Sequence, residues 1–333
     1  MIGEQRRGPS IVAIGGGHGL STILRGLKLY TDDLTAIVTV ADDGGGSGML
    51  REDLHMPPPG DIRNCMEALA NAEPMMQRLL SYRFTAGRLA GQAFGNLLLA
   101  ALNGISDSFD QAVSRMSDVL AISGRILPVT NANVTLEATF ENGTSVRGES
   151  RIFAFKKAQN CRIQEVRLLP ELPPALPAAL EAICQADVIL LGPGSLYTSV
   201  IPNLLVDGIS AAIRNSRALK IYVCNIMTQD GETEHLTASD HIDALLKHGG
   251  ASMVDICLCN SEPVSRRLLE RYSREDAEPM HVDTEAIEQR GIAVVERALL
   301  DTAKHDYARH DCVKVAEAVV ELYQDHAKTR IFD

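Results

Sequence analysis

The sequence predicts an α/β protein built round a mainly parallel sheet with helices covering both faces. Three observations carry that expectation. Short apolar runs without polar alternation recur along the chain, as in strands buried on both sides. Helical patterns separate most of them, which suits parallel strands joined by crossovers. Finally, the unusual clusters of glycines, hydroxyl residues and acids each follow one of the predicted strands.

The elements follow in order. SIVAIG (10–15) reads as a buried strand and feeds GGHGLSTILRGLKLY, a glycine turn and a helix. LTAIVTVA (34–41) is the second strand, which completes a βαβ unit with a short crossover. Residues 62–122 read as mostly helical, with FGNLLLAALNGI buried and FDQAVSRMSDVLAI amphipathic. A hairpin follows at about 133–150, where Asn142-Gly143 supplies the positive φ of a tight turn. CRIQEVRLL is a further strand, and PELPPALP is a proline-rich connection. ADVILLG, ALKIYVCN and MVDICLCN are then strands. They alternate with the helices VIPNLLVDGISAAIRNS, ASDHIDALLKHGG and PVSRRLLERYSR, and HDCVKVAEAVVELYQDH closes the chain. There is no internal repeat and no low-complexity tract.

Composition narrows the function. The chain has 333 residues, 45% of them hydrophobic and 23% charged, so a large core is within reach. With 32 basic and 43 acidic residues the net charge is -11, which argues against a general nucleic-acid binder. Seven cysteines include no CxxC pair, and the expectation is buried thiols in a cytoplasmic protein. Cys257 and Cys259 alternate on one strand, where core packing is the expected role. MIGEQRRGPS has no apolar signal region, and no apolar stretch reaches the ~18 residues of a membrane span.

Five decorated loops follow strands: GGGHGLS (15–21), ADDGGGSG (41–48), GPGSLYTS (192–199), NIMTQDGET (225–233) and NSEP (260–263). Ligands of open α/β sheets lie outside the carboxyl ends of the strands, so one large site at that edge is expected. The first loop resembles a phosphate loop through Gly16, Gly17, His18 and Gly19, since a helix N-terminus favours an anion. A tight strand–helix turn is the alternative. Leu20 stands where a dinucleotide fingerprint needs its third glycine, and no Gly-Lys-Ser/Thr follows, so neither motif is met. The third loop adds Gly192, Gly194, Ser195, Tyr197 and Thr198. Two such loops suit a diphosphate, or a phosphate plus a sugar.

Asp42 and Asp43, followed by Gly44 and Gly45, admit three readings. They can accept ribose or sugar hydroxyls, hold Mg²⁺ with few protein ligands, or cap local structure. PPPGDIRN adds Asp61, a phosphate-side acid or an N-cap. It also adds Arg63, which can pair with a phosphate or with Asp42 or Asp43, and Asn64. No zinc spacing and no nucleophile elbow occur.

These residues carry a resemblance. IGGGHGLSTILRGLK, TAIVTVADDGGGSG, PPPGDIRN, FGNLLLAAL, ADVILLGPGSLYTSVIPNLLV, CNIMTQDGET and TASDH stand in the order found in the YvcK branch of the CofD-like proteins, the gluconeogenesis factors. The resemblance implies one Rossmann-like domain over residues 10–325, between a disordered stretch at 1–9 and a tail at 326–333. It implies a cytoplasmic regulator that binds UDP-sugars such as UDP-N-acetylglucosamine or UDP-glucose and serves cell shape and wall synthesis on gluconeogenic carbon sources. A homodimer without membrane insertion or nucleic acid is expected, and no cofactor is required. Asn96 of FGNLLLAAL, Asn225 and Thr228 of CNIMTQDGET, and Arg309 of YARHDCVKV join the implied nucleotide-sugar site.

The other branch of the family is 2-phospho-L-lactate transferase, a Mg²⁺-dependent enzyme with a guanosine diphosphate donor. Its metal aspartates would fall at Asp42 or Asp43 and at Asp61. The chain departs from the family pattern at His18 (threonine), Gly46 (serine) and Gln92-Ala93 (His-Ser), each change removing a hydroxyl or an imidazole. An NAD(P)-dependent oxidoreductase is disfavoured by the missing third glycine.

Overall fold

The computed structural model describes residues 8–303 and 306–332, with side chains to residue 329. Among the described residues ten strands are formed: β1 Ile11–Gly15, β2 Leu34–Val38, β3 Arg125–Pro128, β4 Thr135–Phe140, β5 Ser145–Arg147, β6 Ile163–Leu169, β7 Val188–Leu191, β8 Leu219–Val223, β9 Ile256–Asn260 and β10 Ala293–Arg297. Seven of them make one sheet in the order β10-β9-β8-β7-β1-β2-β3. Every pairing in that sheet is parallel. All residues of β1, β2, β7 and β8 are buried, which is why these strands read as unbroken apolar runs.

Strand order reverses at β1. Ile14 pairs with Ile37 of β2 on one side and with Leu191 of β7 on the other. From there the chain builds outward in both directions, so the crevice lies above β1 and β7. Both glycine loops leave the sheet at this point. The helix Gly17–Leu27 packs against the helices Gly60–Leu69 and Cys312–Phe332 on one face.

The expected hairpin is present, and it belongs to a separate three-stranded antiparallel sheet, β5-β4-β6. Only Gly143 takes positive φ, at +79°, while the Asn142 side chain accepts from the Thr144 amide at 2.9 Å. Leu136, Ala138, Phe140, Val166 and Leu168 of this sheet join the same buried core as β1 and β7.

Four features differ from the sequence reading. β3 and β10 are edge strands with half-exposed patterns, too short and too polar to stand out. The helix Glu149–Gln159 follows the hairpin directly. The helix expected over VIPNLLVDGISAAIRNS breaks in two. A π turn Leu196–Val200 and a short helix Ile201–Leu204 precede Gly208, whose φ of +82° stops the chain before Ile209–Asn215 resumes. The last helix runs to Phe332, through most of the expected 326–333 tail. Of the expected disordered stretch 1–9, residues 1–7 lie outside the described residues. Among the described residues, no helix is long and apolar enough to cross a membrane.

Candidate functional site: a cleft at the strand reversal

A cleft of about 480 Å³ opens above β1, β7 and β8. Its walls come from the first glycine loop, from Pro193-Gly194-Ser195, from the segment Asn225 to Gln229, and from Arg309-His310 near the start of the last helix. Gly16 is needed for packing: a Cβ there would lie 2.6 Å from Asp61 Oδ2 and 2.7 Å from Thr39 Cγ2. The Gly17 amide donates to Asp61, so the first loop rests on a carboxylate beneath it.

Three acids form the floor: Asp42, Asp61 and Glu149. Burial, then the neighbouring Asp42 charge, pushes the Asp61 carboxyl up to about 7. Asp42 is also raised by burial, although the Gly44 amide at 2.7 Å and the Ser47 hydroxyl oppose the shift. Glu149 is pushed well up by burial, then by Asp42, Asp61 and Glu232, and the Thr198 hydroxyl partly offsets this. A cation would relieve this mutual repulsion. Asp42 and Asp61 fit Mg²⁺ held by one or two carboxylates and several waters. The only set of three such ligand atoms drawn within 4.8 Å among the described residues is made of thiols, Cys224, Cys257 and Cys259. The floor is therefore no all-protein cage.

The second glycine loop is braced from inside. Asn225 accepts from the Gly194 amide at 3.3 Å and donates to its carbonyl at 3.0 Å. Ser195 Oγ donates to Gln229 at 2.9 Å. The amides of Tyr197 and Thr198 both donate to Glu232 Oε1, at 2.7 and 3.0 Å. An internal carboxylate thus already occupies the helix start where an anion was expected. Burial holds the Glu232 carboxyl at about 7 against those two amides.

The geometry divides the residues singled out by sequence. Gly16, Gly17, His18, Gly19, Asp42, Asp61, Gly194, Ser195, Asn225, Thr228 and Arg309 line the cleft. Asp43 turns away and accepts from the Ser150 amide at 2.9 Å and its hydroxyl at 2.8 Å, holding the first turn of the helix Glu149–Gln159. Gly44, Gly45, Gly192, Tyr197 and Thr198 lie outside the lining. Arg63 pairs with neither Asp42 nor Asp43. Its guanidinium donates to Asn96 at 3.0 Å, to Asn64 at 2.7 Å and to Glu67. Asp61 is not an N-cap: Pro59 holds that position and Asp61 sits inside the first turn. Thr228 exchanges hydrogen bonds with the Glu278 backbone, at 2.7 and 2.9 Å.

His18 and Arg309 both line the cleft, and burial, then the Arg309 charge, lowers the imidazole. The Arg309 guanidinium lies 5.8 Å from the Tyr307 ring and makes no ion pair among the described residues.

The profile of the family "2-phospho-L-lactate transferase CofD" matches residues 11–300, which include every loop of the cleft except Arg309-His310. The chain belongs to the CofD family. Within it, the chain is of the gluconeogenesis-factor type. It is 52% identical over 317 residues to a putative gluconeogenesis factor of Thermoanaerobacterium thermosulfurigenes, covering 95% of this chain and 98% of the relative. It is 46% identical over 318 residues to the gluconeogenesis factor of Bacillus subtilis, covering 95% and 99%. A crystal structure of a Bacillus halodurans protein superposes with a TM-score of 0.90 at 45% identity, covering 94% of this chain and all of that one. A second structure of a Bacillus halodurans protein, described as a member of the UPF0052 family, gives 0.89 at 46% identity, covering 93% and 98%.

This CofD-family cleft contains residues that sequence reasoning missed: Glu149, Ser199, Gln229, Tyr272 and His310. Glu149 reaches the floor from the first turn of a helix that Asp43 holds through Ser150. His310 gave a signal, standing beside Arg309, but no local pattern said which way its ring faces. Gln92, where the resemblance led to an expected histidine, is buried against Gly46. A Cβ on residue 46 would lie 2.8 Å from Gln92 Oε1, so these two departures accommodate each other.

Proposed function

We propose that the protein is a cytoplasmic regulator that binds a nucleotide-sugar, UDP-N-acetylglucosamine or UDP-glucose, without turning it over. It would act as a homodimeric gluconeogenesis factor for cell shape and wall synthesis on gluconeogenic carbon sources. The observation that carries the reading is the meeting of two glycine loops at the strand reversal, in a cleft polar at one end and apolar at the other. In this reading the amides of His18 and Gly19 and the side chains of His18 and Arg309 face the diphosphate, while the Gly17 amide stays on Asp61. Sugar hydroxyls donate to Asp42 and Asp61. Glu232 already neutralises the helix start after Ser195, which leaves the first loop and Arg309 as the anion site. The names of the relatives support the regulatory role.

A second reading is favoured by the acid floor. In a Mg²⁺-dependent 2-phospho-L-lactate transferase, Asp42 and Asp61 would hold the ion, and the ion would neutralise charge on a transferring phosphoryl group. Asp43 is spent on Ser150 and is not needed for it.

One experiment separates the two. Purified protein is incubated with UDP-N-acetylglucosamine and Mg²⁺, and separately with a deazaflavin acceptor and a guanosine diphosphate-linked donor. The regulator reading expects tight binding of the first ligand, seen by native mass spectrometry, with the ligand recovered intact. Transfer product that disappears in Asp61→Ala would overturn it.

A further inference from the structure

The cleft has an apolar end that the glycine loops do not explain. Ile226, Met227 and Leu300 form a small buried cluster of their own, with Tyr272 and Ala308 packed against it. All but Leu300 line the cleft. A short polar linker or a sugar gains little from such walls, whereas a planar heterocycle buries its faces there.

His310 stands at this end. It is 8% exposed, and its backbone is held by a bridge to Leu300. The Asp311 amide donates to the Leu299 carbonyl at 2.7 Å, which fixes the chain on the other side. The ring donates to the Cys224 backbone carbonyl at the end of β8, and Nε2 has no partner. A neutral imidazole that donates through one nitrogen offers a lone pair at the other. Burial lowers the ring to about 4, so it remains neutral at physiological pH. A buried acceptor without a donor is costly, and a ligand that supplies the donor recovers that cost on binding.

We propose that the apolar end receives the ligand's base and that the unpaired nitrogen of His310 accepts its ring N–H, selecting bases of the imide or lactam type. This rests on the nucleotide reading above and adds to it a choice of base. Uracil at N3 and guanine at N1 carry a hydrogen at the matching ring position. Cytosine at N3 and adenine at N1 carry a lone pair there, which would meet the lone pair of His310.

The test is titration calorimetry on the full chain. The probes are UDP-N-acetylglucosamine, its N3-methyl analogue, GDP and 1-methyl-GDP. The wild type is expected to bind one unmethylated probe about tenfold to a hundredfold more tightly than its methylated partner, the loss of one buried hydrogen bond. Which pair shows the ratio tells uracil from guanine. In His310→Ala the ratio should fall to about one, and in His310→Asn, whose amide oxygen can accept, it should partly return. A merely structural role would weaken both members of a pair alike and keep the ratio. Tight binding with equal affinity for both members overturns the role of His310 and leaves the nucleotide reading standing. Binding of none of the four overturns both. Should His310→Ala fail to fold, the wild-type ratio alone still decides against the proposal if it is one.

Discussion

Gly19 and Pro193 touch backbone to backbone: a Cβ on Gly19 would overlap the Pro193 carbonyl oxygen. The two glycine loops are therefore one piece of structure, joined where β1 and β7 end. Gly19→Ala must push them apart. Overpacking at such a contact costs about 1–3 kcal/mol, so urea denaturation should show a loss of that order. Calorimetry should show weaker UDP-sugar binding in the same variant. Unchanged stability would mean the loops separate freely.

Asp42 and Asp43, adjacent in sequence, should behave differently. Asp43 caps a helix through Ser150, and loss of such a cap costs about 1 kcal/mol. Asp43→Ala should lower the melting temperature of the free protein. Asp42→Ala should remove a raised carboxylate from the floor, leave the melting temperature equal or higher, and weaken ligand binding. Equal thermal effects of the two substitutions would contradict the geometry.

The floor makes stability depend on pH. Asp61 titrates near 7 in the folded protein and near 3.8 when unfolded. Between those values the folded chain holds a proton that the unfolded chain has released, so stability falls as pH rises through this window. Above about pH 7 the carboxylate is charged in both states and the penalty is complete. Asp61→Asn should raise the melting temperature at pH 8 by roughly 5–15 °C and leave it unchanged near pH 4. Glu232 and Glu149 shift in the same direction, so a shallower slope should remain. Mg²⁺ should stabilise the wild type at pH 8 more than Asp61→Asn.

Arg309 faces the cleft with no carboxylate partner among the described residues. A charged hydrogen bond is worth about 1.5–3 kcal/mol. Arg309→Ala should weaken UDP-sugar binding by about tenfold to a hundredfold, and Arg309→Lys should restore only part, since an ammonium lacks the planar fork. Wild-type affinity in Arg309→Ala would place the residue outside the site.

The sheet was legible because its central strands are buried on both faces: SIVAIG, LTAIVTVA, ADVILLG and ALKIYVCN admit little else. The loops were legible because glycines and acids repeatedly followed those strands, and ligands of parallel sheets gather at that edge. The edge strands β3 and β10 stayed hidden because half-exposed residues carry no such pattern. Two neighbouring aspartates cannot be told apart by spacing, yet one faces a cleft and the other a helix contributed from 107 positions away. Glu149 joins the floor through that same contact, and Glu232 reaches the Tyr197 amide from 35 positions away. The sequence by itself determined which segments form buried strands and where a site would open, since local apolar periodicity and glycine content set both. Only the tertiary structure decided which carboxylates meet and which nitrogen of His310 lacks a donor, because those follow from long-range packing, where direction and distance are set by how separate segments fit together.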